Sequence, residues 1–403
     1  MNLAISAPMR SPASETFVQA QFGGLPCKLR VHGTPIARET LPGGPLAPLR
    51  HFLALTRPNT LLALRARFKT TAGWAEKLPL VFAELRARAL RLRLRRAGID
   101  VFLANFGPAA VSLLPVCRDL RIPLVAHFHG ADAHALQLLA RYADGYRLLG
   151  REAAAIVVVS EIMRRQLQQL GVPPEKIHLV RCGANASLFS QPALRPASPV
   201  FIAIGRMVEK KAPHLTLLAF KLVHDRLPDA RLILAGDGEL FESTRNLAAA
   251  LGIAAAVEFL GAVPHAEVAR RMSGATCFVQ HSIVPMTGPH AGDHEGTPVV
   301  LLEAMLAGLP VVVTRHAGMG EVIEHERTGV LVEERDVAAM SAAMIRIATD
   351  EVWAARLGSA ARRQALAQHT HEQYLGALRH LLESVVIAPR NARTAPALSM
   401  DRS

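Results

Sequence analysis

Residues 295–314 have the sequence EGTPVVLLEAMLAGLPVVVT, in which a helical pattern over Thr297–Ala307 leads through a Gly-Leu-Pro turn into the apolar run Val311–Thr314. A helix followed at once by a short apolar strand is typical of parallel sheets, because successive parallel strands need a crossover connection between them. The same alternation continues outward from this stretch in both directions. The stretch therefore indicates the fold class.

Short apolar runs bounded by turn signals recur through both halves of the chain. In the first half they are Leu3–Ser6, Leu29–His32, Val101–Asn105, Leu124–His129, Ile156–Ser160 and Ile177–Arg181. In the second half they are Phe201–Gly205, Leu232–Gly236, Val257–Gly261, Cys277–His281, Val311–Thr314 and Val330–Val332. Helical patterns separate most of them, which predicts an α/β fold with two doubly wound, Rossmann-like parallel sheets. Ligands of such sheets bind outside the carboxyl ends of the strands, so two facing sheets would enclose a cleft there.

A chain of 403 residues is too long for one ordinary core, so two domains are expected. The predicted N-terminal domain covers residues 1–190, and the predicted C-terminal domain covers residues 199–370. The linker is placed in Gln191–Ser198, which contains two prolines and no periodicity. An amphipathic closing helix over residues 371–388 and a polar, disordered tail over residues 389–403 complete the prediction.

The net charge of +13 is unevenly distributed. Residues 1–190 contain 25 Lys and Arg against 11 Asp and Glu, a balance of +14, and the remainder is nearly neutral. This asymmetry suggests that the N-terminal domain meets an anionic partner. The densest basic cluster comprises Arg86, Arg88, Arg91, Arg93, Arg95 and Arg96. It is interpreted either as a solvated helix face or as a contact for anionic lipid headgroups; nucleic acid is disfavoured because aromatic interleaving and a recognised binding motif are missing.

The cysteines and the N-terminus favour a chain located in the cytoplasm. Four widely spaced cysteines (Cys27, Cys117, Cys182 and Cys277) match neither a disulfide framework nor a metal knuckle. Met1 is followed by a strand-like run without a basic n-region, so no signal peptide is expected. The longest uncharged run contains prolines and is short for a membrane span. The expectation is a soluble protein, with peripheral attachment to the inner membrane face as an option.

The first candidate site is Glu295-Gly296-Thr297-Pro298, which precedes an apolar helix. Thr297 is predicted to cap this helix and Pro298 to occupy its first position. The free amides of the first turn would then form an anion site suited to phosphate, and Gly296 would let a ligand approach the backbone. Glu295 could accept hydrogen bonds from hydroxyls, and Glu303, about two turns along the helix, could hold a ribose diol. The alternative is that Glu295 is a loop charge and Glu303 a solvated helix residue.

The second candidate site is the segment from Gly205 to Lys211, directly after an apolar run. Arg206 at the strand end and Lys211 at the next helix entry could both face the cleft. Together they would neutralise a diphosphate leaving group. Lone basic residues at such positions are often plain surface charges, but the anion site predicted opposite them favours the binding role.

Two further candidates lie in the N-terminal half. His127, His129 and Asp132 close an apolar run, where an imidazole could donate to a substrate hydroxyl or play only a supporting structural role. No convincing third ligand accompanies them, so no metal site is predicted. After the first strand, the loop Ser14-Glu15-Thr16 could contact a substrate, or Ser14 or Thr16 could simply cap a helix.

At this point the sequence resembles family 4 of the retaining glycosyltransferases, which have the GT-B fold. The matching stretches are GRMVEKK at 205–211, AGDGEL at 235–240, FLGAV at 259–263, the segment 295–314 and TGVLV at 328–332. In the N-terminal half, FHGAD at 128–132 and SETFV at 14–18 resemble the bacterial exopolysaccharide branch, such as colanic acid and amylovoran transferases. Asn105 stands where the family often has histidine, and this departure lies in the half that selects the acceptor.

The resemblance implies a role for each candidate residue. Arg206 and Lys211, with Gly205 beside them, would hold the diphosphate of a UDP- or GDP-sugar, and Glu303 the nucleotide ribose. Glu295 would bind the donor sugar, and the amides near Gly296 and Thr297, with Pro298 beside them, would complete the phosphate and sugar site. His129 would face the transferred sugar, and the loop of Ser14, Glu15 and Thr16 would border the acceptor. The family needs no catalytic metal or other cofactor, and the leaving phosphate would take the acceptor proton.

The implied activity is retaining transfer of a hexose to a lipid-linked or polysaccharide acceptor in bacterial cell-surface polysaccharide synthesis. One alternative is a catalytically silent GT-B scaffold or sugar-nucleotide-binding protein, against which the retained charged residues argue. A dehydrogenase with two Rossmann-like domains would need a G-x-G-x-x-G motif after a strand, and the sequence contains none. The sequence thus specifies the class of sugar donor more closely than it specifies the acceptor.

Overall fold

The computed structural model describes residues 1–7, 16–32, 74–189, 195–288 and 290–387. Within these ranges twelve strands form two six-stranded sheets, and every strand pair is parallel. The first sheet contains β1 (Leu3–Ala7), β2 (Cys27–His32), β3 (Val101–Asn105), β4 (Leu124–His127), β5 (Ala155–Val158) and β6 (Ile177–Leu179). The second contains β7 (Val200–Ile204), β8 (Arg231–Ala235), β9 (Val257–Gly261), β10 (Cys277–Gln280), β11 (Val311–Thr314) and β12 (Val330–Val332). The predicted α/β fold class is confirmed, and each predicted apolar run contributes one strand.

The strand order places the ligand crevice of each sheet. The second sheet has the order β12-β11-β10-β7-β8-β9, which is the doubly wound Rossmann order. Its direction reverses between β7 and β10, so the crevice opens where Gly205 and His281 follow those two strands. The first sheet, with the order β2-β1-β3-β4-β5-β6, reverses between β1 and β3.

Helices cover both faces of the sheets. Those in the first part of the chain are α1 (Thr16–Gly24), α2 (Trp74–Arg96), α3 (Gly107–Leu120), α4 (Ala131–His134), α5 (Leu136–Glu152) and α6 (Glu161–Gln169). Those that follow are α7 (Pro213–Arg226), α8 (Phe241–Ala250), α9 (His265–Ser273), α10 (Val299–Leu306), α11 (Met319–Val322), α12 (Val337–Thr349), α13 (Glu351–Gln368) and α14 (His371–Ile387). The described part of the chain has no helix long and apolar enough to cross a membrane.

The last helix, α14, returns to the first sheet. Its side chains Tyr374, Leu378 and Leu382 are buried in one apolar cluster with Leu3 and Ile5 of β1. The predicted closing helix therefore covers the N-terminal sheet, although it follows the whole second sheet in sequence. The predicted tail at 389–403 and the first half of the predicted linker, residues 191–194, lie outside the described residues. The domain boundaries remain a prediction.

The two sheets face each other through the loops at their carboxyl ends. The hydroxyl of Thr297, before α10, donates to the carbonyl of Val159, after β5, at 3.2 Å. The amide of Leu136, on α5, donates to the carbonyl of Ala291 at 3.0 Å. The predicted cleft between strand-end loops is therefore present, and its walls touch at these points.

Candidate functional site

The turn after β7 presents Arg206 from a tightly anchored backbone. The amide of Gly205 donates to Ala235 at 2.9 Å, and the amide of Met207 donates to Asp237 at 2.9 Å. Ala235 ends β8 and Asp237 lies in the turn that follows it, so the two strand ends are hydrogen-bonded to each other. Arg206 is exposed, and it lines a small cavity at the crevice together with Lys211. The structure thus brings the two predicted cations to one side of the crevice.

Lys211 and Glu295, which were predicted separately, form an ion pair with 2.9 Å between Nζ and Oε1. Both side chains are buried, at 14% and 10% exposure. Burial lowers the pKa of Lys211, against the opposing effect of Glu295. Burial alone would raise the pKa of Glu295, but the charges of Lys211 and Lys210 outweigh it and bring that pKa to about 2. An ionised pair therefore stands at the crevice, and the three donors of an ammonium group leave Lys211 able to bind an anion as well.

Lys210, next to Lys211 in sequence, forms a second buried ion pair, with Asp293, that the sequence analysis missed. Lys210 Nζ lies 3.0 Å from Asp293, with side-chain exposures of 6% and 7%. It also contacts the carbonyl of His294 at 3.4 Å. Buried charges are stable only when paired, so this contact fixes the loop before Glu295 against the turn of Lys210 and Lys211.

The segment from Glu295 to Pro298 departs from the prediction at the helix start. Helix α10 begins at Val299 with Pro298 as its N-cap, so Thr297 is not the capping residue and Pro298 is not the first helical residue. The hydroxyl of Thr297 instead donates a hydrogen bond to the carbonyl of Val159 on the facing wall. The predicted helix start is present, one residue later than expected, and the amide of Leu301 donates to the carbonyl of Pro298 at 3.0 Å.

Gly296 is the point of closest approach between the two walls. A Cβ at Gly296 would overlap the carbonyl oxygen of His129, and a Cβ at Gly318 would overlap the carbonyl oxygen of Gly296. Three backbone segments therefore meet where any side chain would separate them. Close packing of the two walls therefore requires glycine at position 296. The sequence analysis had attributed this glycine to the approach of a ligand to the backbone.

The backbone of Glu295 is held from behind by an imidazole that the sequence analysis did not identify. The amide of Glu295 donates to Nε2 of His316 at 3.1 Å. Nδ1 of His316 lies 2.6 Å from Glu334, which also accepts the amide of Val284 at 2.9 Å. Since Nε2 accepts, the proton of the neutral ring is on Nδ1 and points at the carboxylate. Glu334 thus orients His316, and His316 orients Glu295.

Glu303 lies on α10 and is buried, at 4% exposure, rather than solvated. Its Oε1 lies 2.6 Å from Nε2 of His265, the first residue of α9. The hydrogen bond to Glu303 raises the pKa of His265, against the opposing effect of burial. The carboxylate predicted to hold a ribose therefore has a partner from another helix.

In the N-terminal half, Asp132 organises the loop after β4. Its carboxylate accepts the amides of Gly107, His129 and Gly130, each at 2.9 Å. Burial raises the pKa of Asp132, and these amide hydrogen bonds oppose that shift. Because the oxygens are committed to backbone amides, Asp132 is a structural residue. The described residues contain no cluster of three or more His, Cys, Asp or Glu side chains that could hold a metal ion.

The His129 imidazole is held in an aromatic cage. Its ring stacks on Phe17 at 4.1 Å between centroids and contacts Phe106 at 4.9 Å. Nε2 lies 2.9 Å from Oδ1 of Asn105, and Nδ1 is enclosed without a partner among the described residues. Burial lowers the pKa of His129 well below its ordinary value. The ring is therefore neutral, and the backbone of His129 is the part that faces Gly296.

The predicted loop Ser14-Glu15-Thr16 is only partly visible, since Ser14 and Glu15 lie outside the described residues. Thr16 is the first residue of α1, and its hydroxyl is buried without a partner in the described part of the chain. The next residue, Phe17, stacks on His129. This contact brings the end of the predicted loop to the same wall of the cleft.

Comparison with known proteins agrees with this geometry. The family model "Glycosyltransferase Family 4" matches residues 50–188, and "Glycosyl transferases group 1" matches residues 186–364. "Putative colanic acid biosynthesis glycosyltransferase WcaL" of Escherichia coli K12 is 33% identical over 325 residues, which cover 77% of each chain. This chain belongs to the family 4 glycosyltransferases. The resemblance and the enzyme class predicted from the sequence are confirmed.

Two further proteins are similar to this chain. The amylovoran biosynthesis glycosyltransferase AmsK of Erwinia amylovora is 30% identical over 258 residues, or 62% of each chain. The crystal structure of Alr3699/HepE from Anabaena with UDP-glucose superposes with a TM-score of 0.70 at 18% identity, over 95% of this chain and 100% of the other. At that identity the superposition establishes the fold alone, which is GT-B as predicted.

Proposed function

We propose that this family 4 glycosyltransferase moves a hexose from UDP- or GDP-sugar to a lipid-linked or polysaccharide acceptor, with retention of configuration, in cell-surface polysaccharide synthesis. The ion pair of Lys211 and Glu295 at the Rossmann crevice carries this proposal. The pair joins a cation to a carboxylate that would bind the donor sugar, shortly before the start of α10, where a phosphate would be received. WcaL and AmsK, named for two exopolysaccharides, support the class of product.

Each charged group has a task in this reaction. Arg206 and Lys211 would neutralise the diphosphate as the glycosidic bond breaks, which lowers the barrier because charge develops there. Glu295 would accept hydrogen bonds from the donor sugar, and Glu303 would accept them from the ribose. The departing phosphate would take the proton of the acceptor hydroxyl on the same face of the sugar. This geometry retains the anomeric configuration, and the proposal includes no metal and no other cofactor.

Thermal denaturation with UDP, GDP and ADP at millimolar concentration tests the donor site. One diphosphate is expected to stabilise the protein more than the others, by about 2.7 kcal/mol at a hundredfold excess over its Kd. Arg206→Ala should lose this stabilisation, whereas the control Arg245→Ala, on the exposed face of α8, should keep it. If none of the three stabilises the protein, the donor-site assignment is wrong.

Retention is tested by the anomeric configuration of the product. Once the donor is known, an α-linked sugar nucleotide should give an α-linked product by NMR. A β-linked product would contradict the proposed single displacement on one face of the sugar.

We also propose that helix α2 contacts an anionic membrane surface on the cytoplasmic side. Arg88 and Arg91 are partly neutralised by Glu84, each at 3.2 Å. Other side chains remain exposed on the same helix, namely Leu85, Arg86, Leu92, Arg93, Arg95 and Arg96. Exposed leucines between arginines suit a lipid interface, where the apolar and the charged groups are both satisfied. Sedimentation with phosphatidylglycerol vesicles, but not with phosphatidylcholine vesicles or duplex DNA, is expected at physiological salt; equal binding to DNA would overturn this assignment.

A further inference from the structure

Glu303, which is predicted to bind the ribose, is hydrogen-bonded to His265, a residue to which no role has been assigned. Glu303 is on α10 and His265 begins α9, so two separate helices supply the pair. The oxygen and nitrogen are 2.6 Å apart, which is a charge-assisted hydrogen bond when the imidazole is protonated. The pair does not belong to the phosphate site, which uses Arg206 and Lys211.

The two side chains are buried to very different extents. The side chain of Glu303 is 5% exposed, and that of His265 is 33% exposed. A carboxylate that deep in the protein is unstable without a donor, whereas a half-exposed imidazole has no such requirement. The His265 imidazole therefore stabilises the buried carboxylate, and removal of His265 would leave Glu303 with fewer hydrogen-bond donors.

The surroundings of the pair fix its orientation. Phe189 packs edge-on against the His265 ring, with 6.0 Å between ring centroids. A second imidazole near the pair is that of His371 at the start of α14, whose pKa is lowered by burial, with Glu303 opposing and His265 adding to that effect. Burial thus favours the neutral form of His371, whereas the hydrogen bond to Glu303 favours the protonated form of His265.

We propose that His265 is a positioning residue of the donor site, which holds one oxygen of Glu303 so that the carboxylate meets the 2′- and 3′-hydroxyls of a ribonucleotide. The inference rests on the proposed donor site. With Oε1 engaged by His265, Oε2 stays directed to the ligand and the carboxylate loses its rotational freedom. Such preorganisation strengthens a hydrogen-bonded contact because less order has to be created on binding. His265 thereby contributes to selection of ribonucleotides over nucleotides without the diol.

Calorimetric titration with a ribonucleoside diphosphate and its 2′,3′-dideoxy analogue tests this role. The wild type should prefer the diphosphate that stabilises it over the analogue, and His265→Ala should bind the ribonucleotide about tenfold more weakly. Affinity for the analogue should stay within about twofold, because it lacks the hydroxyls that Glu303 would bind. His265→Gln, which keeps a neutral donor near the position of Nε2, should recover part of the loss. His380→Ala, on the exposed side of α14, is the matched control.

The outcomes separate this inference from the proposed function. Ribonucleotide binding without any preference over the analogue would overturn the inference and leave the donor site standing. Equal losses for both ligands in His265→Ala would assign His265 to the base, the phosphates or the fold instead. Failure of the wild type to bind any nucleoside diphosphate would overturn both.

NMR of the wild-type protein tests the same role without a variant, and so does not depend on whether His265→Ala folds. The NMR signal of the His265 ring should move on saturation with the ribonucleotide, since a ligand on Glu303 alters the charge felt by its partner. The dideoxy analogue should leave that signal in place. No movement with the ribonucleotide, or the same movement with both ligands, would contradict the positioning role.

Discussion

The carboxylate of Glu321, on α11 beside the second sheet, accepts the backbone amide of Glu161, at the start of α6 beside the first sheet, at a distance of 2.9 Å. It also accepts the next amide, that of Ile162, at 3.0 Å. Ser160 accepts the third, from Met163, at 3.3 Å. The first amides of α6 are thus capped from both walls of the cleft, and a negative charge sits at the positive end of the helix dipole.

Replacement of Glu321 by alanine should therefore loosen the contact between the walls. We expect a loss of about 1–2 kcal/mol in the free energy of unfolding, the usual cost of a removed helix cap. The radius of gyration in solution scattering should increase at the same time. Glu324→Ala, which removes an exposed carboxylate paired with Arg327, is the control and should change neither quantity. A compact Glu321→Ala protein with unchanged stability would show that this cap does not hold the walls together.

The buried pair of Lys210 and Asp293 makes a prediction about stability. Lys210→Met should lower the free energy of unfolding by about 3–5 kcal/mol, because Asp293 is left as an uncompensated buried charge. Addition of Asp293→Leu should recover most of that loss, since both charges are then gone. Urea denaturation of the single and double variants measures the coupling. Additive losses would mean that the two side chains do not depend on each other.

Acid titration should expose the ion pair of Glu295. The folded-state pKa of about 2 lies below the ordinary value of 4.5, so the pair contributes stability that is fully present above pH 4.5. As the pH falls from 4.5 toward 2, the unfolded chain takes up the proton first and this contribution is lost. The stability difference between wild type and Glu295→Gln should therefore shrink across this window. A difference that stays constant from pH 5 to pH 2 would contradict the low pKa.

The close approach at Gly296 predicts a sharp sensitivity to one methyl group. Gly296→Ala should reduce transfer activity at least about tenfold, because the Cβ would displace the His129 backbone from the site and small displacements of reacting groups are costly. The control is Gly376→Ala on α14, where a Cβ meets no atom within 4 Å. Alanine favours a helix over glycine, so this control should be neutral or slightly stabilising. Full activity in Gly296→Ala would show that the two walls need not meet for transfer.

The fold could be predicted because its signals are local. Buried parallel strands are continuous apolar runs, and turn residues bound each of them, as at Val311–Thr314. The strand ends were less well defined: in the run Leu124–His129 the strand ends at His127. The amide of Phe128 still donates to Val157 of β5, but that of His129 donates to Asp132 in the following loop. Local propensity does not show where a loop is captured by a distant carboxylate.

The sequence singled out the charged residues of the candidate site but not the residues that pair with them. Lys211 and Glu295 stood out because they follow strand ends, whereas His265 and His316 carried no local signal. His265 is 38 positions from Glu303, and only the packing of α9 against α10 brings them together. Thr297 was misassigned for the same reason, since the acceptor of its hydroxyl is on the other sheet.

The return of α14 to the first sheet has a consequence for how the chain is made. The apolar surface around Leu3 and Ile5 is synthesised before the second sheet, yet the helix that buries it is translated only after the entire second sheet. Contacts between such distant segments form slowly, because the entropy of closing a long loop is lost before the contacts can stabilise the chain. A nascent chain arrested before residue 371 therefore carries an uncovered apolar face, and truncation there should yield an aggregating fragment instead of an independent half.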